Sequence, residues 1–213
     1  SAWNGSSELV GQLSAAVTTF LFNRTMLSLL GEPGVAAITI LIYAQFLLNT
    51  LFIGFSIGVA PILGFNYGNG NDAQQKAVLS ISLRFIAAAS VLIFACARLG
   101  GSFLVGLFAD STSPVYAIAV DGFAVFSYSF LFCGLNLFAS ALFTALSNGR
   151  LSAVLSFLRT FVLLTGGILL LPKLWGLAGV WLAVPAAEGC MFTVSALCVY
   201  RFRVRLERRS RNP

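Results

Sequence analysis

Residues Val35 to Phe65 read VAAITILIYAQFLLNTLFIGFSIGVAPILGF, a run without a single charged side chain. The hydrocarbon core of a bilayer is about 30 Å thick, and about 20 apolar residues cross it as a helix. The run exceeds that length, and in hydrocarbon a helix satisfies all of its own backbone polar groups. Five further stretches meet the same criterion. The six predicted spans are Ser6 to Leu30, Val35 to Phe65, Ala77 to Ala97, Val115 to Leu146, Leu151 to Leu171 and Leu174 to Tyr200. The expected fold is all-α, a polytopic transmembrane bundle of about six helices over residues 1–200, followed by a basic tail at 201–213.

The breaks between these runs are short and polar. Gly31-Glu32-Pro33-Gly34 reads as a tight turn, and Phe65 to Asp72 as a glycine-rich polar loop. Ser111-Thr112-Ser113-Pro114 ends in a helix-starting proline. Ser147-Asn148-Gly149-Arg150 and Pro172-Lys173 supply the last two turns. Gly100 to Asp110 is apolar but too short to cross, so it is expected to lie along the membrane surface.

Composition agrees. Of 213 residues, 58% are hydrophobic and 9% charged, against about 25% charged in soluble domains. Histidine is absent, which removes the commonest metal ligand and the commonest general base. Cys96, Cys133, Cys190 and Cys198 each sit in an apolar run without a CxxC neighbour, as packing thiols do. Gly68-Asn69-Gly70-Asn71 lacks the Gly-Lys-Ser/Thr of a phosphate loop. No enzymatic activity, metal or cofactor is expected. The chain opens at Ser1 without a methionine or a leader, which suggests a piece of a longer protein.

The net charge of +6 is concentrated at one end, where Arg201 to Arg211 holds six arginines against Glu207. A basic run directly after an apolar span faces anionic lipid rather than nucleic acid. With six crossings both termini share a side, and that side also collects Lys76 and Arg150; Arg98 and Lys173 fall opposite. The positive-inside rule then makes the termini cytoplasmic.

Three ionisable residues are placed deep by position: Arg84, Arg159 and Glu188. Arg159 lies nine residues beyond Arg150, about 13 Å inward, and Glu188 lies twelve before Tyr200, about 18 Å inward. Helices joined by a short turn are antiparallel neighbours, so an Arg159–Glu188 ion pair is predicted. It serves either as a tie between helices or as a protonatable group coupled to transport; an arginine beside a carboxylate favours the tie. Pro61 is expected to kink its helix near Ile57 to Pro61 and to act as a hinge. Gln12, Asn23, Gln45, Asn49 and Asn136 are uncharged polar groups that need partners within hydrocarbon. Gln45, Asn49, Asn136 and Glu188 are the candidate substrate- or cation-binding residues.

Four motifs in register carry a resemblance. Pro61-Ile62-Leu63-Gly64-Phe65-Asn66-Tyr67-Gly68 resembles the Pro-Leu-Ile-Ser-Phe-Asn-Tyr-Gly stretch of the multidrug and toxic compound extrusion (MATE) family. Gly31 to Ala37 is similar to its Gly-Glu-x-Gly-Val-Ala-Ala turn. Ala141 to Arg150 with Ser156-Phe157-Leu158-Arg159 resembles its tenth-to-eleventh helix segment, and Gly176 to Glu188 its last helix. The resemblance covers nearly the whole chain and implies helices seven to twelve, the carboxy-terminal lobe of a two-lobe transporter. It implies a secondary active exporter of small lipophilic cations in the cell (plasma or inner) membrane, exchanging them for Na⁺ or H⁺ by alternating access. The missing amino-terminal lobe would be its partner. Two carboxylates found in some members fall on Ala15 and Asn136, so a carboxylate cation site in this lobe is not expected; coupling would then depend on the missing first lobe or on a group such as Glu188 or Asp121. The alternatives are a lipid-linked oligosaccharide flippase of the same superfamily and a truncated membrane protein or scaffold inactive alone. A flippase cleft would be expected to hold several basic residues for pyrophosphate, and Arg84 and Arg159 are the deep ones here.

Overall fold

The computed structural model describes the backbone of residues 2–209 and the side chains of residues 14–209. Gln12 and Arg211 lie outside the described side chains. Four continuous helical runs are apolar and long enough to cross a bilayer: Ser14–Gly68, Asp72–Gly106, Pro114–Ala145 and Gly149–Arg209. The first and last each fold back on themselves at a glycine, so six helices result.

The first fold-back is at Gly31, whose φ of 68° and ψ of −155° leave the helical region. It separates α1 (2–30) from α2 (32–68). A Cβ on Gly34 would stand 3.0 Å from the Met26 carbonyl oxygen, although eight residues of unbroken helix span about 12 Å. The expected four-residue turn is thus a single residue, and Pro33 already sits in the first turn of α2, where its missing N–H costs nothing. The second fold-back is at Trp175 (φ −127°, ψ 15°) and Gly176 (φ 55°, ψ −131°). It separates α5 (149–174) from α6 (177–209). The expected break at Pro172-Lys173 is therefore displaced. Gly176 supplies the positive φ that the reversal requires, and Gly179 lets α6 close onto α5, since a Cβ there would collide with the Leu171 carbonyl.

Between them, α3 (Asp72–Gly106) starts at Asn71, whose side chain accepts the Gln74 N–H at 3.1 Å. It runs unbroken through Gly100 and Gly101, so no separate surface segment forms there. Gly101 is where Phe123 presses onto the helix, leaving 2.8 Å to an added Cβ, and Val105 is fully buried. That packing carries the helix on to Gly106. In the following loop, Asp110 accepts the Thr112 N–H and hydroxyl at 2.8 and 2.7 Å, and these two bonds hold its carboxyl below the usual carboxylate range.

Helix α4 (Pro114–Ala145) passes through one 3₁₀ turn at Ser127–Ser129. It packs against α2, α3, α5 and α6. Phe52, Phe123, Phe126, Phe130 and Phe138 fill the core. Gly122 and Gly134 admit Trp181 and Phe52, which would lie 2.9 and 2.7 Å from an added Cβ. Small residues at such contacts let membrane helices approach closely. Helix α5 begins at the cap Asn148 and widens into a π turn at Leu158–Leu164.

Candidate functional site

Helices α5 and α6 run antiparallel, with Gly167 against the Ala183 carbonyl. Two turns further from their shared bend, Arg159 meets Glu188. The Arg159 Nε donates to Glu188 Oε1 at 2.9 Å and Oε2 at 3.1 Å, and Nη2 donates to Oε1 at 2.5 Å. Arg159 is 21% exposed and Glu188 7%. A fork-shaped guanidinium on both carboxylate oxygens is the strong form of this contact. Arg159 enters one residue into the π turn, a helical irregularity that recurs at functional sites.

From α4, Asn136 completes the cluster. Its Nδ2 donates to Glu188 Oε2 at 2.7 Å and to the Glu188 backbone carbonyl at 3.0 Å. An amide suits this position, whereas a carboxylate would put two like charges in contact. From α2, Asn49 Oδ1 accepts the Cys133 thiol at 3.2 Å. Asn49 and Gln45 share a hollow of about 230 Å³ with Arg159 and Glu188. The structure therefore gathers Gln45, Asn49, Asn136, Arg159 and Glu188 from four helices.

A larger cleft of about 700 Å³ lies between α2, α4 and α5. Ile53, Ile57, Pro61 and Leu137 give it an apolar wall; Ser56, Asn136, Ser140, Thr144, Ser156 and Arg159 add polar groups. Arg159 lines both spaces. The smaller hollow lies toward the Gly31 end of the lobe and the larger cleft toward the end carrying the tail arginines. The Arg159–Glu188–Asn136 cluster stands between them.

Below the cluster α4 and α5 are joined by hydroxyls. Thr144 Oγ1 donates to Ser152 Oγ at 2.7 Å. Ser140 Oγ lies 3.0 Å from Ser152 Oγ and 2.8 Å from Ser156 Oγ. The sequence signal was present: Asn136, Ser140 and Thr144 repeat every four residues, as do Ser152, Ser156 and Thr160, one face each.

Other residues stand apart. Arg84 is exposed on α3. The Asp72–Arg209 pair, 3.7 Å, sets α3 against α6 so that Arg84 is level with about residue 197, near the tail end. It is not a deep residue of the cluster. Asp121 is exposed on α4, fifteen residues and about 22 Å from Asn136. Asn23 lines a separate hollow between α1 and α2 with Arg24 and Glu32. Pro61 and the preceding turn keep helical dihedrals, so the expected kink near Ile57 to Pro61 leaves no non-helical residue there; the break in the run 2–68 is at Gly31. Among the described residues no group of His, Cys, Asp and Glu could hold a metal ion.

Helical runs apolar and long enough to cross a bilayer, packed about a buried ion pair, define an all-helical integral membrane protein. The MatE family model matches residues 9–166, and the chain belongs to that family. A multidrug resistance MATE family transporter of the MOP superfamily matches in its outward-facing conformation, with a TM-score of 0.86 and 20% identity over 96% of this chain and 46% of that one. An inward-facing conformation of such a transporter matches with a TM-score of 0.84 and 20% identity over 98% and 48%. A mutant of the Vibrio cholerae MATE transporter VcmN matches with a TM-score of 0.83 and 16% identity over 92% and 44%. The chain thus spans about half the length of these transporters. No curated protein matches by sequence.

Proposed function

We propose that this chain is the carboxy-terminal lobe of a secondary active multidrug exporter that expels small lipophilic cations by alternating access, coupled to Na⁺ or H⁺. The observation that carries the reading is the cleft of about 700 Å³, walled by apolar side chains and closed at one end by the Arg159–Glu188–Asn136 cluster. A largely apolar cavity with few polar groups suits flat, greasy ligands, and exposed rings such as Phe46 and Phe65 offer faces to a cation.

In this reading the amino-terminal lobe forms the opposite wall and the chain sits multi-pass in the plasma or inner membrane. The tail arginines put both termini in the cytoplasm, so the larger cleft opens inward and the smaller hollow outward. Gln45, Asn49, Asn136 and Glu188 contact substrate or coupling ion as the two spaces exchange access, and Pro61 is the hinge of α2. The test is efflux of a fluorescent lipophilic cation from vesicles containing the two-lobe protein, under an imposed Na⁺ or pH gradient. Gradient-driven movement supports the reading, and movement indifferent to both gradients overturns it.

A further inference from the structure

Hydroxyl groups in these helices normally turn back to the carbonyl four residues earlier. Thr18, Thr39, Thr50 and Ser82 do so at 2.8–3.0 Å, and Ser28, Ser127 and Thr193 reach the carbonyl three residues earlier. Ser56 does not. Its Oγ is buried without a hydrogen-bond partner, in a residue only 4% exposed. The same holds for Asn136 Oδ1, in a residue 2% exposed; the other half of that amide is spent on Glu188. A third acceptor is the Ile57 carbonyl, because Pro61 has no N–H to give it. Ser56, Ile57, Pro61 and Asn136 all line the large cleft.

Ser56 and Asn136 stand at a similar level of the cleft. Asn49 faces Cys133 at 3.2 Å, and a Cβ on Gly64 would lie 3.0 Å from the Ala145 carbonyl. This register puts Ser56 and Asn136 about 4 Å apart along the helix axes. The cleft's one charged lining residue, Arg159, is held by Glu188. Two acceptors with no proton of their own, beside a hydroxyl that can accept, leave a deficit of donors. Buried polar atoms without partners are costly, and a ligand that supplies N–H groups relieves that cost.

We infer that this corner of the cleft binds the N–H of a protonated amine, and so favours primary, secondary or tertiary ammonium ions over quaternary ones. The inference rests on the cleft being a site for lipophilic cations, as proposed above, and adds the hydrogen-bonding class of the cation. The apolar body of the ligand lies against Ile53, Ile57 and Leu137, and its ammonium N–H points at Asn136 Oδ1 and Ser56 Oγ. A quaternary nitrogen carries the same charge but has no proton to donate.

The experiment is calorimetric titration of the two-lobe protein in detergent at pH 7 with a matched pair of probes: an aryl-alkyl dimethylamine, protonated at that pH, and its trimethylammonium homologue. One charge-assisted hydrogen bond predicts about tenfold tighter binding of the dimethylamine. Ser56→Ala, nearly isosteric, should lower that ratio by about threefold, and Asn136→Ala should bring it close to one. If Asn136→Ala does not fold, the Ser56→Ala ratio carries the test. Equal binding of both probes by the unmodified protein, or a ratio untouched by Ser56→Ala, overturns the inference while leaving the cation site standing. Binding of neither probe overturns the cation site and this inference together.

Discussion

Glu188→Gln tests whether the Arg159–Glu188–Asn136 cluster acts as one unit. In the native chain, the two carboxylate oxygens receive Arg159 at 2.5–3.1 Å and Asn136 at 2.7 Å. A glutamine offers one acceptor oxygen in place of two, and its NH₂ has no use for Arg159 and serves Asn136 only if that amide turns its oxygen toward it, giving up the bond its Nδ2 makes now. One donor is then stranded, and the guanidinium loses its counter-charge with 21% of its side chain exposed. Breaking a buried pair from one side costs about 3 kcal/mol, which for a chain of this size lowers Tm by about 6–12 °C. Arg159→Met should cost a similar amount by stranding Glu188. The double variant should lose less than the two losses added together, by about 2 kcal/mol. The assay is thermal unfolding of the four proteins in detergent. Additive losses, or single variants within about 1 °C of the native chain, would refute the reasoning. The same variant in the two-lobe protein separates the two roles of Glu188. Lost expression marks a tie between helices; normal expression with lost transport marks a coupling group.

Further outcomes follow from the helix contacts. Gly179→Ala should destabilise far more than Gly176→Ala in thermal unfolding. The first forces a Cβ into the Leu171 carbonyl, whereas the second meets nothing within 4 Å and costs backbone strain alone, about 1–3 kcal/mol. Gly134→Ala should cost about 1–3 kcal/mol through overpacking against Phe52 and Ser90; a Tm shift under 2 °C would contradict that contact. Cys133 is buried, so mass spectrometry after maleimide treatment should find label on it only after denaturation.

The fold was largely legible because membrane helices announce themselves by length and apolarity, and Gly31 marks its own reversal. The match in depth between Arg159 and Glu188 follows from counting rises along antiparallel helices, and the structure holds these groups at 2.5–3.1 Å. What composition could not reveal was facing. Arg84 is placed deep by counting along its run alone, but its side chain turns outward, away from the cluster. The bend at Trp175-Gly176 was misplaced to Pro172-Lys173, since proline signals a break more loudly than a glycine with positive φ. Ser56 gave no signal, because an orphaned hydroxyl reads like any other serine until its neighbours are known.

The hydroxyl contacts from Thr144 to Ser156, with the tight connection at Ser147-Asn148, stitch α4 and α5 into a two-armed lever. A sideways slip between those arms would tear several hydrogen bonds at once, so they travel together. The outward face of α2, where Gly54 and Gly58 meet nothing, carries no such fastening.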